Sequence, residues 1–80
     1  MINPEQAEEL ATKHMQDYVN ACGCRDVEDV GNVLMKLVSV CGLAMIATQG
    51  QDIAVARLEG TAQHLAKPQF RGKWKSEPVQ

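Results

Sequence analysis

The sequence predicts an all-α protein of three helices built round a long central one, with helices 2 and 3 folded back as an antiparallel hairpin and the copies assembled as an oligomer. Three observations lead there. Only three of the 80 residues are aromatic, Tyr18, Phe70 and Trp74, so the core must come from Val, Leu, Ile, Met and Ala, which suit helix packing better than a β-sandwich. Apolar residues recur at spacings of three and four instead of alternating. The stretch from Val27 to Gln49 contains no proline and is bounded by glycine on either side, at Gly23 and Gly50.

The first helix is announced by Asn3-Pro4-Glu5-Gln6. Asn3 is suited to capping, Pro4 to the first helical turn, and Gln6 can bond back to the cap residue. Ala7, Leu10, Ala11, Met15, Tyr18 and Cys22 then line one side, and Glu8, Glu9, Lys13 and Asp17 occupy the rest. Gly23 should end this helix in a left-handed conformation.

Asp26 offers a second cap, with Asp29 three residues on and acidic charge at the positive end of the helix dipole. A single helix from Val27 to about Gln49 would be roughly 34 Å long at 1.5 Å per residue. Gly31 and Gly42 each cost about 1 kcal/mol relative to alanine inside a helix. Together with Ser39 they predict a face closely approached by another helix. Gly50 closes helix 2. Asp52 should open helix 3, whose apolar side is Ile53, Val55, Leu58, Ala62, Leu65 and Ala66 and whose end is set by Pro68. So short a connection favours the hairpin. Residues 1–68 form the expected helical domain, and residues 69–80, with Gly72 and Pro78, an extended or mobile tail.

Size and composition narrow the function. A chain of 8.8 kDa has no room for a two-domain enzyme, and 45% apolar with 22% charged residues excludes wholesale disorder, collagen and a disulfide knot. The net charge of −2 argues against a general nucleic-acid surface, but it hides an asymmetry. Residues 1–66 carry four basic against nine acidic side chains, a charge of −5. Residues 67–80 carry Lys67, Arg71, Lys73 and Lys75 against Glu77, a charge of +3. No leader pattern follows Met1, so a cytoplasmic location is expected. The longest apolar stretch, Leu37 to Ala47, falls short of the about 20 residues that cross a bilayer, so no membrane partner is expected. The odd set Cys22, Cys24 and Cys41 reads as thiols in a reducing compartment.

Helix 2 is greasy on more than one side. Val30, Leu34, Leu37, Cys41 and Ala44 make one stripe, while Val33, Val38, Val40, Leu43 and Met45 spread round the cylinder. Two alanine-rich companions leave part of it uncovered, which predicts a homodimer or larger ring with helix 2 at its centre; the alternative is a marginal three-helix monomer with the tail folded over the exposed face.

For chemistry, Cys22, Cys24, Cys41 and His14 contain no second closely spaced pair, so neither zinc nor any other cofactor is expected. No nucleophile has a base oriented beside it, and no phosphate loop or paired-carboxylate motif is present. The protein is therefore read as acting by binding and not as an enzyme. Arg57, Thr61 and His64 stand at i, i+4 and i+7 on helix 3, and Lys67 and Arg71 continue the positive trend. That stripe suits a phosphate, through the planar fork of Arg and the hydroxyl of Thr, or is a solvated polar face. In the tail, Phe70-Arg71-Gly72-Lys73-Trp74-Lys75 interleaves rings and cations as single-strand and nucleotide binders do; equally, Phe70 and Trp74 can pin the tail onto the helices or onto a neighbouring subunit.

From Ile53-Ala-Val-Ala-Arg57-Leu-Glu59-Gly60 through Leu65-Ala-Lys67-Pro68, the chain resembles small helical proteins of bacteriophages. Among these is the helical-hairpin family that counters CBASS immunity by sequestering cyclic oligonucleotides. The resemblance implies an oligomeric, non-enzymatic sponge whose interfacial pockets bind a negatively charged nucleotide. Its partners would be further copies of itself and a cyclic nucleotide. The alternatives are an inhibitor that blocks a host defence protein or other macromolecule and a small nucleic-acid-binding regulator that uses the basic tail. The candidate ligand residues, chosen on chemistry, are Arg57, Thr61, His64, Lys67, Arg71 and Trp74, with Tyr18 added as the single aromatic of the helical body.

Overall fold

The computed structural model describes residues 1–71, and these are helical except for the connections. Helix α1 spans Pro4–Cys22, α2 spans Val27–Gln49 and α3 spans Gln51–Leu65; a single 3-10 turn, Pro68–Phe70, follows. No strand occurs among the described residues.

Each boundary has a local cause. The Asn3 side chain accepts the Gln6 backbone N–H at 2.8 Å while the Asn3 backbone N–H donates to the Gln6 side chain at 3.2 Å, closing the predicted capping box. Gly23 ends α1 with φ 65° and donates its N–H to the Asn20 carbonyl. The Asp26 carboxylate accepts the Asp29 N–H at 2.8 Å, and Asp29 in turn accepts from the backbone and guanidinium of Arg25. Gly50, at φ 93°, donates to the Ile46 carbonyl and accepts from the Ala54 N–H, so one residue both closes α2 and caps α3. Helix α3 therefore starts at Gln51, one residue before the expected Asp52.

Helix α3 ends at Leu65, ahead of Pro68. Gln69 and Phe70 are not extended as expected. Pro68 fits the first position of a turn, the Phe70 N–H bonds the Lys67 carbonyl at 3.1 Å, and the Arg71 N–H bonds that of Pro68 at 3.0 Å. Residues 72–80, including Trp74 and most of the predicted tail, lie outside the described residues.

The chain divides into two compact units, Met1–Lys36 and a second beginning at Leu37, with α2 contributing to both. In the first, Val19 is the buried apolar residue, and Met15, Val30, Val33 and Leu34 are half-buried. The Tyr18 hydroxyl donates to the Val33 carbonyl at 2.7 Å and so ties α1 to α2 within this unit. In the second, Ala54 is fully buried, and Leu58 Cδ1 lies 3.3 Å from where a Cβ on Gly42 would sit. The close approach predicted at Gly42 is therefore present. That predicted at Gly31 is not: nothing lies within 4 Å of a Cβ built there, and Ser39 is exposed. Gly31 has an open flank and no packing reason to lack a side chain.

Candidate functional site

Helix geometry keeps Arg57, Thr61 and His64 within roughly 60° of one another on α3, over about 10 Å of its length. All three are exposed. The same row begins at Ile53 and contains no acidic residue. Among the described residues Arg57 has no ion-pair partner, so its guanidinium fork is free to take an anion.

The C-terminal end of the stripe is shaped by the 3-10 turn. Ala66 and Lys67 donate their N–H groups back to the last turn of α3, and Lys67 then takes an extended conformation that turns the chain. Phe70, half-buried, meets the His64 imidazole edge to face, with ring centres 5.0 Å apart and planes inclined at 66°. This contact ties the turn that Lys67 and Arg71 flank back to the last turn of α3. Phe70 is thus packed against the last turn of α3.

Two candidates remain, Tyr18 and Trp74. Tyr18 belongs to the first unit, and its hydroxyl donates to the Val33 carbonyl there. Burial is the main cause that raises its pKa above the ordinary tyrosine value, with neighbouring Cys22 and Cys24 adding to it. Trp74 lies outside the described residues. No group of three or more His, Cys, Asp and Glu side chains is gathered as a metal set among the described residues. Cys22 and Cys41 are exposed, while Cys24 is half-buried with its thiol 4.0 Å from the Val19 carbonyl. Burial first, then the neighbouring Cys22, Asp29 and Asp26, pushes the Cys24 pKa up. A shallow depression is lined by Ile2, just ahead of α1, and by Gln6, Glu9, Leu10 and Lys13 of α1.

A second feature lies on α2: of the five apolar residues that the sequence spreads round this helix, Val38, Val40 and Leu43 are exposed, while Val33 and Met45 are half-buried. Val40 and Leu43 are 62% and 66% exposed, and Met35, Val38 and Ile46 are open as well. Among the described residues α2 is the one helix long and apolar enough, by length and composition, to cross a membrane. Lys36 stands near its middle, where a cation costs about 2.5–3.5 kcal/mol at a bilayer centre. Comparison of the chain with known protein families, curated proteins and solved structures gives no match.

Proposed function

We propose that the protein is a small non-enzymatic binding module that works as a homo-oligomer and takes a phosphate-bearing ligand of the nucleotide class on the polar stripe of α3. The observation that carries this reading is the open apolar surface of α2. With Val19 and Ala54 the only buried apolar residues among those described, a lone chain leaves Val40 and Leu43 in water. Copies that bury this surface against one another remove that cost. The hairpin of α2 and α3 belongs to the same proposal. Gly42 and Leu58, which meet, each stand eight residues from Gly50, as a fold-back at that glycine requires.

The ligand follows from the stripe. Arg57 supplies a fork, Thr61 a hydroxyl, His64 an oriented imidazole and Lys67 and Arg71 further cations; together they suit the oxygens of a phosphodiester. A module of this kind acts by holding its ligand away from other receptors, and sequestration of a nucleotide signal by a phage-type accessory protein is the corresponding biological role. Isothermal titration of the full chain with cyclic di- and trinucleotides at low salt tests it. Heat of binding that falls at least tenfold in affinity in Arg57→Ala is expected, and silence toward every nucleotide sinks the ligand assignment. Recovery of a stoichiometric protein partner from a bacterial lysate, with no bound nucleotide, would favour an inhibitor of a macromolecule instead.

A further inference from the structure

The open side of α2 carries more than greasiness. Lys36, Val40, Leu43 and Ala47 are spaced four, three and four residues apart, within roughly 60° of the helix surface. All four are exposed. Gly42, the position against which Leu58 packs, lies about 130° round the same helix, so the contact made by α3 leaves this stripe uncovered.

We propose that this stripe seats α2 of a second copy, antiparallel, centred between Val40 and Leu43. The inference rests on the self-association proposed above and specifies its surface, direction and register. In that register Val40 faces the Leu43 of the other copy, and Lys36 faces its Ala47, beside the last turn of the other α2. That turn carries no basic residue of its own. Its final carbonyls lack intrahelical donors and form the negative end of the helix dipole. A Lys36 ammonium placed there from each side satisfies both ends of the pair at once. A parallel pairing would instead set the two Lys36 side chains against each other. Charge complementarity between Lys36 and that helix end selects a second copy as the occupant.

Disulfide trapping reads the register. In full-length chains with Cys22, Cys24 and Cys41 replaced by Ser, Lys36→Cys and Ala47→Cys are made singly, checked for helical circular dichroism, mixed and mildly oxidised. Eleven residues separate positions 36 of the two copies in the proposed pair, about 16 Å along the axis, too far for a disulfide. Position 36 of one copy is opposite 47 of the other. The expected result is a cross-linked dimer from the mixture and none from either variant alone. A cross-link in Lys36→Cys alone means a parallel pair and overturns the proposal. Dimers by light scattering that never cross-link in the mixture also overturn it, yet leave self-association standing. A monomer at every concentration, or a monomer that floats with phosphatidylcholine vesicles, removes both readings. Lys36→Glu in the native sequence provides a reading free of new cysteines. Sedimentation should show the dimer dissociation constant raised roughly tenfold while Lys36→Arg stays near the parent, and an unchanged constant for Lys36→Glu refutes the pairing.

Discussion

At the scale of single residues, the two interior glycines of α2 make opposite statements with the same side chain. Gly31 has open space where a Cβ would go, whereas a Cβ at Gly42 meets Leu58 at 3.3 Å. Alanine at position 31 should therefore collect the helix-propensity gain of about 1 kcal/mol without opposition. At position 42 a methyl asks Leu58 to give by a few tenths of an ångström, and a branched side chain asks for more than the site holds. Thermal unfolding of Gly31→Ala, followed by circular dichroism, should show a midpoint several degrees higher, while Gly42→Val should show a lower one, with stability reduced by roughly 1–3 kcal/mol. Equal responses at the two positions would mean that the Leu58 contact is not formed in solution. Sequence reasoning treated these glycines alike because both lie near one face by turn counting. What separates them is which side a neighbour covers, and that is a property of packing that spacing does not carry.

At the scale of elements, the helix ends are where the sequence is most readable. Asn3, Gln6, Gly23, Asp26 and Gly50 act through atoms within four residues of themselves, so their effects can be derived without knowing the rest of the chain. The start of α3 was displaced by one residue for the same local reason, since the Gly50 carbonyl already serves the first turn. The turn at Pro68–Phe70 was not legible as packed structure, because the contact of Phe70 with His64 six residues earlier joins a side chain of the predicted tail to one in the helical body. Of the candidate site, the order Arg57, Thr61, His64 on one row was legible from spacing. The engagement of Tyr18 with Val33 was not, since the acceptor is a backbone atom on another helix. The capping box also sets a quantity. Asn3→Ala removes the side-chain acceptor for the Gln6 N–H and should cost about 1 kcal/mol. Hydrogen exchange should accelerate chiefly at the first turn of α1, and no protection change at Ala54 is expected, because that residue belongs to the other compact unit. Loss of protection at both places would show the two units to unfold as one.

For the whole molecule, stability and assembly are coupled through the surface that α2 leaves open. If copies bury Val40 and Leu43 against one another, folding draws free energy from association, and the midpoint of unfolding must rise with protein concentration by mass action. A monomer has no such dependence. Over a hundredfold range of concentration the parent chain should therefore melt at progressively higher temperature, whereas Leu43→Glu, which puts a carboxylate on the seam of each copy, should melt at one temperature throughout. The variant is informative because position 43 is exposed within its own chain. Introducing a charge there leaves the Gly42–Leu58 contact and the Tyr18–Val33 hydrogen bond untouched, so helicity at low concentration should match the parent. Parent and variant converging at high dilution and diverging at high concentration would separate loss of association from loss of fold. A variant that is equally unstable at every concentration would instead mean that Leu43 supports its own chain, and the open surface of α2 would then need another explanation.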